Sequence, residues 1–290
     1  MFKKKYRAAK RDFTVEDLPS NRQEVFFDLL KHRWTDILFL GFLLLLFATP
    51  FLIARYQRLL VTTDFFQKYV SGELEENLAF QAILSFNNMI NLIHIPLLVL
   101  FAIGLAGVIR IVKKLAWSEY ISTRHDLLAG IKENSLHIGA VFLLMGLGNF
   151  LLSHLRALNV FSDTPANNLL SYLPEVVFVA IIFPVLAYFI SLTAIYKEKF
   201  AKKLMIALKL YLLNLPKTLL VCLAGILPLL LLLVRNSLMQ LIFPFVYVLV
   251  FLPVFLSLWF LFSCHVFDKH INKNNFPEIH DKGVWRKHEK

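Results

Sequence analysis

Six stretches of this 290-residue chain stay apolar long enough to cross a bilayer, and nothing else in it restricts the fold so severely. A helix needs about 20 apolar residues to cross the roughly 30 Å hydrocarbon layer, because each residue rises about 1.5 Å and every backbone amide must be satisfied within the helix. The stretches lie at 37–54, 92–112, 136–153, 173–195, 218–234 and 238–262. Only Arg235, Asn236 and Ser237 separate the last two, which forces an antiparallel hairpin. The expected fold is all-α, a polytopic membrane bundle of six transmembrane helices with amphipathic interfacial helices between them. Composition agrees. Apolar residues are 58% and charged residues 18%, against the roughly 25% charged of soluble domains, and the mean hydropathy of +0.62 excludes a water-borne core with a polar skin. Ten glycines exclude a collagen-like chain and two cysteines exclude a disulfide framework.

Lysine and arginine set the expected orientation, since short basic loops are held on the cytoplasmic side. Nine precede span one, five follow span two, six follow span four and six lie in the tail, while the opposite loops hold three, one and one. Both termini are therefore expected in the cytoplasm of a cell-membrane protein. Trp34, Trp117 and Trp259 fall at inner ends, as an aromatic belt predicts. Three regions follow: a basic N-terminal segment, 1–36; a six-helix transmembrane domain, 37–262; and a basic tail, 263–290. Lys3, Lys4, Lys5 and Arg7 resemble the basic part of a signal peptide. The first apolar run starts about thirty residues later without a small-x-small exit, so span one is expected to stay as an anchor. The net charge of +11 is spread over all four inner segments, which topology and anionic headgroups explain, so no nucleic-acid partner is expected.

The inner segments carry helical patterns. Ser20 to Gln23 reads as a capping box, followed by Val25, Phe26, Leu29, Leu30 and Trp34 at near-helical spacing, the pattern of a helix lying along the inner leaflet. Glu119 and Glu198 each open a basic amphipathic stretch that leads through Asn134 or Asn214, 15 and 16 residues on, into an ascending span. Phe200, Leu204, Ala207, Leu208 and Tyr211 are expected on one face of the second. The two loops form a weak internal repeat relating spans two and three to spans four and five. The longest outer loop, 55–88, holds enough helix formers for one or two short helices capping the bundle.

An ionisable side chain at mid-depth is the usual mark of a pump or ion path, and none of the spans has Asp, Glu, Lys or Arg near its centre. An outer polar cluster of His94, His154, Asn91 and Arg156 is the candidate ligand site. Lys113, Lys114, Arg124, Lys202 and Lys203 are the candidate contacts to anionic lipid headgroups or a partner. Cys264, His265, Asp268, His270 and His280 match no zinc spacing, so no metal and no cofactor are expected. HExxH, GxSxG and Walker motifs are missing, so no catalytic residue is named. Pro50, Pro96, Pro184, Pro228, Pro244 and Pro253 predict kinks, most of all in span six.

LFATPF at 46–51, GLAGVIRIVKKLAWSEY at 104–120, GIKENS at 130–135 and LLNLPKTLL at 212–220 give the chain its likeness to a known group. It resembles the YesL-like family of bacterial multi-pass membrane proteins. That resemblance implies a non-enzymatic protein with no established catalytic residues, associated with carbohydrate ABC-transport loci. The expected function is an accessory or scaffold subunit of a membrane transport complex; the alternative is a transporter or channel for a neutral or amphiphilic small molecule.

Overall fold

The structure, a computed structural model, describes residues 18–159, 173–174, 176–234 and 236–285. The lysines near the start, Glu175, Arg235 and the side chain of Arg156 lie outside the described residues. Among the described residues every regular element is helical, and six helices are long and apolar enough to cross a membrane. The protein is an all-α, multi-pass membrane bundle.

A short helix, α1 (Arg22–His32), turns at Arg33 into α2 (Trp34–Val70), which returns as α3 (Glu76–Ala116) and rises again as α4 (Thr123–Asn159). A wide π turn, Phe178–Ile182, leads into α5 (Phe183–Ile195). Next come α6 (Phe200–Leu213) and α7 (Leu215–Ile226), the latter tightening into a 3-10 segment, Leu227–Leu233. The last rod is α8 (Ser237–Val246), a π turn at Tyr247–Phe251, α9 (Leu252–Phe267), a second π turn at Asp268–Asn272 and the short α10 (Lys273–Asn275). It therefore runs past position 262, where the sequence set the tail apart.

Local chemistry starts α1 one residue later than the Ser20 box predicts. Asn21 accepts the Glu24 amide at 2.9 Å, and the Glu24 carboxylate reaches back to the Ser20 amide at 2.6 Å. The box is thus Asn21-x-x-Glu24, and the hydrogen bond from the Ser20 amide holds the Glu24 carboxyl below its usual range. Val25 and Leu29 pack into the bundle core, so α1 is docked on protein and leaves Phe27 exposed.

Two loops differ from expectation. The 55–88 segment forms no short cap. It continues α2 and α3 as one helical hairpin whose turn is confined to 71–75. At about 1.5 Å per residue, α2 and α3 are far longer than the hydrocarbon layer is thick, so the hairpin projects beyond it. The segment from Glu119 merges into α4 without a break at Asn134, whereas Asn214 does separate α6 from α7. The two halves of the suspected repeat are therefore built differently.

The core is filled along α2, α3 and α9 by Ile37, Leu40, Leu44, Ala106, Val108, Ile109 and Phe260. A second core cluster lies around α5, α6 and α9, where Trp259 stands edge-on to Tyr188 at 5.0 Å and is 2% exposed. Trp259 is a core residue and not part of an aromatic belt. Outward, Phe42, Leu46, Leu144, Leu151, Leu220 and Leu227 are exposed, as lipid-facing positions should be.

Prolines account for two of the three π turns among the described residues and for several contacts. Pro184 has no amide hydrogen for the carbonyl of Ala180; the ladder widens at Phe178–Ile182, and the Tyr211 hydroxyl donates to that carbonyl at 2.6 Å. Pro253 likewise frees the carbonyl of Leu249 within the π turn Tyr247–Phe251. There α2 presents Gly41, where a Cβ would stand 1.8 Å from the Leu249 oxygen. Only glycine lets these backbones close.

Replacing Tyr211 by Phe should destabilise the protein by about 1–3 kcal/mol, the cost of orphaning a buried acceptor. Thermal unfolding in mild detergent checks this; an unchanged midpoint would refute the rescue. In the same assay Gly41→Ala should lower the midpoint, since backbone stands in the way. Gly148→Ala, with nothing within 4 Å of the added carbon, should hold or raise it.

Candidate functional site

Polar side chains gather at the two ends of the bundle. The far end, opposite the termini, is organised by Arg58 on α2. Its Nε donates to Asn87 Oδ1 at 2.8 Å and its Nη1 to Asn91 Oδ1 at 3.1 Å. Asn91 Nδ2 donates onward to Ser153 Oγ at 2.9 Å, and that hydroxyl donates to the Phe150 carbonyl. One chain of hydrogen bonds thus ties α2, α3 and α4 together.

Of the expected outer cluster, Asn91 belongs to this chain. His94, one turn further along α3, is buried with its ring 4.8 Å from Phe51, and its Nε2 has no partner among the described residues. His154 is exposed and rests on Phe150 at 4.9 Å. Arg156 lies on α4 by its backbone. Arg58 and Ser153 were missed, because their significance comes from three helices meeting. Sequence spacing carries no signal of that.

The basic end is closed by the tail. Arg22 of α1 reaches Asp268 at 2.8 Å with both side chains 8% exposed, and it also donates to the Lys282 carbonyl at 2.6 Å. Asp268 Oδ1 accepts Asn272 Nδ2 at 2.8 Å, and the Tyr196 hydroxyl donates to Asn272 Oδ1. Lys282 crosses to Glu119 at 2.6 Å and lies 4.4 Å over the Trp117 ring. Gly283, with φ of +87°, passes against the Ala116 carbonyl, where a side chain has no room. The Trp285 amide donates to the Pro19 carbonyl at 2.8 Å. Asp268 is thereby committed to an arginine, and no group of three or more His, Cys, Asp or Glu is placed to hold a metal among the described residues.

The five candidate basic contacts divide. Lys113 turns inward, donates to the Ala194 carbonyl at 2.9 Å and lies over Trp117 at 5.2 Å. Lys114 pairs at 2.7 Å with Asp126, which is fully buried and also faces Arg110 at 3.9 Å. Lys203 is 3% exposed and meets His137 Nδ1 at 3.2 Å. Burial pushes its ammonium below the usual lysine range, with Glu198 opposing weakly. Arg124 and Lys202 are exposed, the latter paired with Glu198 at 2.7 Å. Ala207 and Tyr211 of α6 face inward with Lys203, while Leu204, Met205, Leu208 and Leu212 stay exposed. The face expected to hold Leu204 and Leu208 with Ala207 and Tyr211 is thus two faces, an inner one that includes Lys203 and an outer apolar one.

Comparison with protein-family models, with curated proteins and with solved structures finds no match to this chain.

Removing one partner of a buried ion pair strands the other, at a cost of about 3–5 kcal/mol. Asp268→Ala should therefore loosen the tail, and limited trypsin digestion should cut at Lys282 well before it cuts the wild type. Arg22→Met with Asp268→Leu should restore much of the protection. Lys203→Met should raise thermal stability at neutral pH. Because the folded pKa of Lys203 is depressed, the wild type should close that gap as pH rises toward the ordinary value of 10.5. A gap that widened with pH would refute the burial argument.

Proposed function

We propose that this is a non-enzymatic, multi-pass subunit of the cell membrane that serves as an accessory or scaffold beside a transport system, with both termini in the cytoplasm. The observation that carries the reading is α6, a 14-residue helix outside the spans. One side of it is anchored in the bundle. The other presents Leu204, Met205, Leu208 and Leu212, with Lys202 and Lys209 exposed beside them and Lys197 and Lys199 just ahead. An apolar strip rimmed by lysines suits the boundary between acyl chains and anionic headgroups, or a membrane partner lying there. The closed basic end supports the same role. Its tail is stapled to α1 and to the turn after α3, which makes a fixed platform. The resemblance to YesL-like proteins points the same way and adds a transport complex as the partner.

One observation favours a second reading, a transporter for a neutral or amphiphilic molecule. The last rod carries two π turns and two prolines, and such turns often mark functional sites or bends. A packed bundle centre supports the accessory reading over it.

A mild-detergent pull-down with mass spectrometry should recover a stoichiometric membrane partner. Neutralising Arg124, Lys202 and Lys209 together should weaken that capture, or weaken binding to phosphatidylglycerol vesicles, at least severalfold. Solute flux by the purified chain in liposomes, with no partner recovered, would overturn the accessory role.

A further inference from the structure

At the far end a cavity of about 200 Å³ opens between α2 and the α7–α8 hairpin. One side of its wall is apolar, with Leu52, Leu232 and Phe245; the other carries Arg55, Tyr56 and Gln240. None of these three polar side chains has a hydrogen bond or ion pair among the described residues. Pro244, also in the wall, has no amide hydrogen for the carbonyl of Gln240, so a backbone acceptor is freed at the same place. Arg55 is exposed and Tyr56 and Gln240 are half-buried, and convergent polar groups in an otherwise apolar pocket are the usual signature of a ligand site.

Charge and depth define the ligand. Arg58, three residues on, lies close enough to Arg55 for the two cations to repel, while Asp64 on α2 is engaged with Lys68 and Glu73 in the hairpin turn with Ser71. An anion is what this pair lacks. Arg55 stands 21 residues along α2 from Trp34, about 32 Å at 1.5 Å per residue, which is the thickness of the hydrocarbon layer. With Trp34 at the basic boundary, Arg55 falls at the headgroups of the other leaflet. Leu52 and Phe245 line the same hollow beside bilayer-facing positions.

We propose that this cavity binds the anionic head of a phospholipid from the leaflet opposite the basic end, the outer leaflet in the orientation given above. Arg55 supplies the charge-assisted hydrogen bonds to the phosphate, Tyr56 and Gln240 add neutral ones, and the apolar wall receives the start of an acyl chain. The volume matches about six or seven waters and fits a headgroup, not a whole lipid, so most of the tails stay in the bilayer. This inference is independent of the accessory role; a subunit or a transporter would hold the same lipid.

The test uses the full chain in mild detergent, exposed to phosphatidylglycerol or phosphatidylcholine, with bound lipid counted by native mass spectrometry. One phosphatidylglycerol should be retained in preference to phosphatidylcholine, and Arg55→Gln should weaken that retention about tenfold, as loss of one charged contact does. Leu241→Trp, which fills the cavity without changing charge, should weaken it similarly and decides the matter if Arg55→Gln fails to fold. Lys273→Gln, exposed at the basic end, should leave it unchanged. Equal retention of both lipids, insensitivity to Arg55→Gln and Leu241→Trp, or dependence on Lys273 alone would overturn the proposal. So would displacement of the lipid by millimolar inorganic phosphate, which would make the site one for free anions.

Discussion

Hydrocarbon offers a backbone carbonyl no partner, and in this protein that single fact decides how the helices meet. Each proline in a span strips a carbonyl of its amide, so something else must answer it. At Ala180 the answer is the hydroxyl of Tyr211, which fixes α6 against the entry to α5. At Leu249 it is the bare backbone at Gly41, which draws α2 against the last rod closely enough for a weak Cα–H contact. Near Pro228 the ladder tightens to the 3-10 form, and the Tyr247 hydroxyl donates to the Gly225 carbonyl at 2.9 Å, joining α7 to the same rod. Three local defects are thus repaired by three contacts between helices. The kinks are joints of the architecture, and the rod that carries two π turns and two prolines packs against α1, α2, α3, α5 and α7.

Such joints show why some of the structure was legible and some was not. The spans could be read directly, because the requirement for about 20 apolar residues is a property of the chain taken one segment at a time. Six were expected, and six helices long and apolar enough to cross are present among the described residues. The limits of helices were poorly legible. Thr62, Thr63, Gln67 and Glu76 are polar enough to look like loop, yet the helical ladder runs through them, because two long helices in a hairpin support each other without needing lipid. Trp259 was misjudged for a related reason: its distance along the sequence from a charged segment says nothing of which face of α9 it occupies. Arg58 and Ser153 carried no signal at all, since what makes them matter is a meeting of α2, α3 and α4.

Counting lysines gave an orientation but not the fate of each lysine. Loop charge governs topology as a sum, whereas the folded chain uses individual cations as parts. Lys113 donates to Ala194, in the last turn of α5, where carbonyls lack intrahelical donors and a positive charge also suits the negative end of the helix dipole. Lys114 and Arg110 neutralise Asp126, whose carboxylate in turn accepts the Ser122 amide at 2.8 Å at the start of α4. Lys282 bridges the tail to the turn after α3. A strongly basic end therefore spends part of its charge internally, while Arg124, Lys202 and Lys209, among others, stay exposed.

The two ends then differ in a way that bears on what surrounds the protein. At the basic end the buried cations find partners within the chain, an acid or a carbonyl for Arg22, Lys113 and Lys114 and the His137 ring for Lys203, and the tail folds back to complete the set. At the far end Arg58 has only amides for partners and Arg55 has none among the described residues, while the acids Asp64 and Glu73 serve Lys68 and Ser71. Half-burying the Arg58 guanidinium without an anion is costly, and an anion from outside the chain, shared with the exposed Arg55, removes that cost most directly. Folding closes one end with its own groups. The other is left electrostatically incomplete at the depth where headgroup phosphates lie, so the bilayer acts there as a component of the structure as well as its solvent.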